Sequence, residues 1–181
     1  MTGEIVLGNC VEHEIDIVAW KGDELVMAEA KFHTDYNIKS DLKVALYVKA
    51  RYDDIFGRTY YYGGKDMRLS LGCIITNTKF SSTAIRYASC QPSLKFIGWN
   101  YPAKGNLHDE LERYELIPVT ALTSINSAEK GIIMSKGIIL SKSLLKTSIL
   151  EELGFDSKKI KAIQDEVNAL CKYCKDKYSQ K

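Results

Sequence analysis

From Glu12 to His33 the chain reads EHEIDIVAWKGDELVMAEAKFH, two alternating runs on either side of Gly22-Asp23. Ile15, Ile17 and Ala19 share one parity, and Glu14, Asp16, Val18 and Trp20 share the other. A period of two on both sides of a Gly-Asp turn predicts a β-hairpin. Closed by a two-residue or four-residue loop, it sets Asp16 opposite Glu29 and Glu14 opposite Lys31. The other face then pairs Ile15 with Ala30, Ile17 with Ala28 and Ala19 with Val26, and is predicted to be the one turned to the core. A slip of one residue would separate Asp16 from Glu29 and mix polar with apolar positions, so the pattern selects the first register.

The rest of the chain is read in the same way. Residues 3–11 predict a first strand, with Gly8-Asn9 as the turn into the hairpin. Residues 38–56 carry Leu42, Ala45, Leu46 and Ile55 at helical spacing, with Ser40 as N-cap and Lys39, Lys43, Lys49 and Arg51 on the polar side. GRTYYYGGKDMR (57–68) interrupts this period. It fits either a hairpin extension that packs its tyrosines on the body or a loop that offers aromatic and basic groups to nucleic acid. LSLGCIIT (69–76) predicts a buried strand, a helix follows from Ser81 or Ser82, and LKFIGW (94–99) predicts another strand. That strand, helix, strand order predicts an α/β fold with parallel pairing. Beyond it, residues 107–114 predict a polar helix, 117–122 an edge strand weakened by Pro118, and 137–140 a short apolar run. Residues 141–174 predict a helical hairpin, with starts at Ser148 and at Asp156 or Ser157, and Gly154 ending its first helix. The expected organisation is a domain over 1–140 and a helical C-terminal appendage over 141–181, suited to DNA contact, dimerisation or closure over the sheet.

Composition narrows the classes. A chain of 181 residues suffices for one well-buried domain with a small appendage. With 25 basic and 23 acidic residues the net charge is +2, so a nucleic-acid surface must come from local clustering. Five cysteines are an odd number without a dense framework and point to a reducing compartment. Cys171-X-X-Cys174 lacks a second ligand pair and lies in a helical pattern, so it reads as packing. No signal peptide or membrane-length apolar run is visible, and a cytoplasmic location is expected.

The polar face of the hairpin carries the candidate chemistry. Two carboxylates meeting across a hairpin repel unless a cation lies between them, and hard oxygen ligands suit Mg2+ or Mn2+. Asp16 followed after a turn by Glu29-Ala30-Lys31 resembles the signature of the PD-(D/E)XK nuclease superfamily, an Asp at a strand bend and then Glu-X-Lys. The downstream stretch TNTKFSSTAIRYA (76–88) resembles the Mrr-like restriction endonuclease group within it. Ile15 stands where the signature has Pro.

This resemblance implies a restriction-endonuclease-like mixed central sheet flanked by helices, and a Mg2+- or Mn2+-dependent endonuclease acting on DNA. It implies Asp16, Glu29 and the backbone carbonyl of Ala30 as metal ligands and Lys31 as the catalytic cation. Glu14 and His33 are expected as accessories, and Lys39, Lys43, Lys49, Arg51, Thr78 and Ser81 as DNA contacts. His13, on the opposite parity, reads as structural. Nucleases of this kind usually begin with a helix ahead of the first strand, which leads to the expectation of an N-terminal helix or a targeting or regulatory domain outside this sequence. Cutting both strands needs two sites, so a homodimer is expected. Two other readings fit the same residues: a structure-selective nuclease of Holliday junction resolvase type, and a nucleic-acid-binding or regulatory module that does not cut. The plainest alternative is an exposed strand face whose Glu-Lys pair needs no metal.

Overall fold

A computed structural model describes residues 3–179, which form two compact units, Met1–His108 and Asp109–Lys181. The first is a mixed α/β unit. Strands β1 (Glu4–Leu7) and β2 (Glu12–Ile15) form a separate antiparallel pair. The central sheet contains β3 (Ile17–Lys21), β4 (Glu24–Lys31), β6 (Thr59–Tyr62), β7 (Lys65–Thr76) and β9 (Leu94–Ile97). β3 and β4 pair antiparallel, and β4 and β7 run parallel. The far edge of the long β7 is shared: its first residues pair antiparallel with β6, and Gly72–Ile75 pair parallel with β9. Two short strands, β5 (Lys39–Ser40) and β8 (Lys79–Phe80), pair beside it. Helix α1 (Leu42–Ile55) lies in the β4-to-β7 crossover and α2 (Ser82–Ser89) in the β7-to-β9 crossover.

The predicted hairpin register holds from Ile17↔Ala28 to Lys21↔Glu24. The orientation of its faces is the reverse of the prediction. Leu25 and Met27 are fully buried with Ala45, Val48, Tyr52 and Ile55 of α1, whereas Ile17 is 40% exposed. Both parities of Leu25-Val26-Met27-Ala28 are apolar, so alternation alone left the choice open; the larger side chains take the core. Glu29 therefore points to the helix side of the sheet. The run from Glu12 to Lys21 also breaks at Asp16, with Glu14 opposite Ile5 in β1, so the predicted pairings of Glu14 with Lys31 and Ile15 with Ala30 do not form.

A bulge gives β7 its apolar pattern. Leu25 pairs with Leu69 and Val26 with Leu71, which leaves Ser70 over, its Oγ accepting from the Leu25 N–H at 3.3 Å. Core positions consequently change from odd numbers (Met67, Leu69) to even (Ile74, Thr76). At Gly72 the Tyr52 ring lies where a Cβ would be, 2.2 Å from its Cδ2, and the Tyr52 hydroxyl donates to the Met27 carbonyl at 2.8 Å. Residues 57–68 form the expected hairpin extension: Gly63 and Gly64 turn with positive φ, and Tyr60 and Tyr62 pack on the core. Asp41, not Ser40, caps α1, accepting from the Val44 N–H at 3.2 Å.

The second unit has its own core of Val119, Leu122, Ile125, Ile133, Leu144, Leu150, Ile160, Ile163, Val167 and Cys171. Helix α3 (Leu107–Arg113) precedes it; α4 (Ser127–Ser135), α5 (Thr147–Glu152) and α6 (Ser157–Ser179) build it. The units divide at 108/109, ahead of the predicted 140/141 boundary, because residues 119–133 pack with the C-terminal helices. The predicted strand at 117–122 is instead a single bridge, Pro118↔Leu140, leading into a 3-10 turn at Val119–Ala121; proline has no N–H to extend a ladder. Ser148 falls within α5, which starts at Thr147 without a side-chain cap. Gly154 ends that helix at φ +81°, and Asp156 caps α6, accepting from the Lys159 N–H at 2.7 Å.

Candidate metal centre

Asp16 occupies the bend where β2 leaves for one sheet and β3 for another. Its Oδ2 accepts the Ala30 N–H at 2.7 Å, taking the place that a residue of β3 would have filled. In an extended strand the N–H and C=O of one residue leave on the same side, so the Ala30 carbonyl also emerges at the edge held by Asp16. Glu29 precedes it on the helix side and is only 6% exposed. Each of its oxygens has a cation: Lys31 Nζ lies 2.7 Å from Oε1 and Arg51 Nη1 2.6 Å from Oε2. The Arg51 guanidinium also lies 5.3 Å from the ring centroid of Tyr47, one helical turn earlier on α1.

Asp16, Glu29 and Glu14 share a cleft of about 340 Å³ with His13, Tyr47 and Arg51. His13 is fixed by Asp54, whose Oδ2 lies 2.8 Å from Nε2. This bond, joined by donors at Cys10 and Val11, holds the Asp54 carboxyl well below the usual carboxylate range. Among the described residues no group of three or more His, Cys, Asp or Glu side chains gathers at one point. The oxygen donors beside this cleft that could hold a hard divalent ion are the Asp16 and Glu29 carboxylates and the Ala30 carbonyl.

The other expected residues lie elsewhere. His33 is tied down by Asn77, which accepts from its N–H at 2.8 Å and donates to its carbonyl at 2.8 Å, while His33 Nε2 lies 3.2 Å from Ser40 Oγ. Thr78 is buried, its hydroxyl 3.2 Å from that of Thr76. Ser81 caps α2, accepting from the Ala84 N–H at 3.2 Å. Lys49 bonds Asp53 at 2.5 Å, and Lys39 and Lys43 are exposed. Thr76, Asn77, Thr78 and Ser81 thus act as framework in this structure. His13, expected to be structural, is held by Asp54, whereas Tyr47 and the Glu29 partnership of Arg51 were not legible as part of the site. The four-residue spacing of Tyr47 and Arg51 was the available signal, since it places both on one helix face.

A family model described as AF1548-like, C-terminal, matches residues 117–171. An uncharacterized protein of Archaeoglobus fulgidus is 40% identical over 121 residues, which is 67% of this chain and 63% of that relative's length. A crystal structure described as that of a protein of unknown function, AF1548, is 34% identical, with a TM-score of 0.66, and the match covers 94% of this chain and 88% of that one. The chain belongs to the AF1548-like family. The match of the family model lies wholly within the second unit, while the cleft of this AF1548-like chain lies in the first. Among the described residues no helix is long and apolar enough to cross a membrane.

Proposed function

We propose that this chain is a metal-dependent DNA endonuclease of the PD-(D/E)XK type, hydrolysing phosphodiester bonds in its first unit on a restriction-endonuclease-like sheet. The observation that carries this reading is the placement of Asp16 at a break between two sheets, bonded to the Ala30 N–H and sharing one cleft with Glu29. Asp16, Glu29 and the Ala30 carbonyl would hold Mg2+ or Mn2+, which when bound supplies Lewis-acid polarisation of a phosphate oxygen and an acidified water.

The residues of the chain do the rest. Lys31 keeps its ammonium beside the buried Glu29 carboxylate, where it meets negative charge that grows on phosphorus-bound oxygens in the transition state. Glu14, on the cleft wall, accepts from a water and orients it. Glu14, Asp16 and Glu29 would by themselves repel a phosphate, so DNA binding at this cleft requires the cations that face them. Lys39 and Lys43, exposed at and just before the start of α1, offer contacts to the DNA backbone.

A second reading is a nucleic-acid-binding module that does not cut. The pairing of Glu29 with Lys31 and Arg51 favours it, because that carboxylate is satisfied without a metal. Plasmid cleavage separates the two. With Mg2+ or Mn2+ the wild-type chain is expected to nick supercoiled DNA, and Asp16→Ala or Lys31→Ala to slow nicking about a hundredfold or more while DNA affinity measured without a divalent ion stays within about threefold. Failure to cut duplex, branched or modified DNA with either ion would exclude the nuclease and leave the binding module.

A further inference from the structure

Glu29 has a cation on each oxygen, and the two differ in origin and exposure. Lys31 comes from the same strand and its side chain is 32% exposed; Arg51 reaches in from α1 and is 11% exposed. A carboxylate this buried is costly to leave unpaired, so in the absence of a divalent ion Arg51 supplies much of the charge that makes the position tenable. An ion approaching Oε2 meets the guanidinium first. The same guanidinium has a second support on the cleft wall, the Tyr47 ring at 5.3 Å, which does not depend on Glu29.

We propose that Arg51 is the resident counter-cation of this centre. It holds Glu29 ready while no divalent ion is bound, yields Oε2 when one arrives, and then turns its planar donors to a phosphate oxygen of the substrate. The proposal rests on the nuclease reading of the same cleft and adds a coupling. Divalent ion and DNA phosphate each favour the released position of Arg51, so each tightens the binding of the other.

The test is calorimetric titration of the full chain with Mn2+ alone, in the wild type, Arg51→Met and Arg51→Lys. Arg51→Met is expected to bind Mn2+ about tenfold more tightly than wild type, since one charge-assisted hydrogen bond no longer has to be broken. In EDTA it is expected to melt lower than wild type and to gain more on adding Mn2+. Arg51→Lys, which keeps the charge but loses the fork of donors, is expected to fall between. Equal or weaker Mn2+ binding by folded Arg51→Met overturns the proposal. If Arg51→Met does not fold, Arg51→Lys decides, with tighter binding in favour and unchanged binding against. Mn2+ binding that follows this order in a chain that cuts no DNA removes the nuclease and keeps the role of Arg51; no Mn2+ binding by any of the three proteins removes both.

Discussion

Asp16 has a structural duty through the Ala30 N–H and, on the proposed reading, a separable chemical one through its charge. Asp16→Asn keeps an oxygen that can accept from Ala30 but has no charge for a divalent ion. Its melting temperature is expected to stay within about 2 °C of wild type while Mn2+ binding is lost in titration; Asp16→Ala is expected to lose both. A second residue is decided by space alone. A Cβ at Gly72 would lie 2.2 Å from the Tyr52 ring, whose hydroxyl is itself bonded to the Met27 carbonyl. Gly72→Ala is therefore expected to cost about 2 kcal/mol or more in urea denaturation, as overpacked core positions do. Tyr52→Phe, which removes only the hydroxyl, is expected to cost about 1 kcal/mol.

Among elements, the hairpin register was legible because Gly22-Asp23 fixes the turn and the alternation on either side fixes the pairing. Two features of the same hairpin were not. Alternation runs without interruption through Asp16, so nothing in the residue pattern marks the change of sheet; the cause is the competing partner β1. The buried face was hidden by the apolar residues on both parities of β4, and only the packing of α1 chooses between them. Ile117 to Leu122 looked like a strand for a similar reason, being apolar without a period long enough to distinguish a 3-10 turn. In the second unit, Glu166 on α6 fastens the segment ahead of α4, accepting from Thr123 N–H and hydroxyl at 2.7 Å each and from Ser124 N–H at 2.8 Å. Burial raises this carboxyl and the donors of Thr123 and Ser124 lower it by more, leaving it at about 2 against an ordinary value of 4.5. A depressed carboxyl contributes stability that is complete above its unfolded value and is lost as pH falls through the folded one. The melting-temperature difference between wild type and Glu166→Gln is thus expected to be steady above about pH 5 and to shrink between pH 4.5 and 2.

For the whole molecule, 25 basic against 23 acidic residues leave little general attraction for DNA. On the proposed reading binding would rest on a few cations, and two of the four predicted on or beside α1 are already engaged, Lys49 with Asp53 and Arg51 with Glu29. Lys39 and Lys43 remain exposed and would be the contacts to DNA. Replacing both by Gln is expected to weaken DNA binding about equally across sequences, and to reduce the slope of log affinity against log salt by about 1.8, the release expected for two phosphates. Filter binding at several salt concentrations measures this. The candidate centre is in Met1–His108, and the stretch matched by the family model is in Asp109–Lys181. The boundary is marked by the two separate cores.

The bond from Ala30 to Asp16 has one more consequence. A main-chain hydrogen that ends on a side-chain oxygen, rather than on a neighbouring strand, reports the state of that side chain. In a two-dimensional amide spectrum the Ala30 signal should move when Asp16 takes up an ion. Its exchange with solvent deuterium should change at the same time, while Val26, inside the β3–β4 ladder, stays unaffected. Occupancy of the centre can thus be followed atom by atom in solution, with neither DNA nor cleavage.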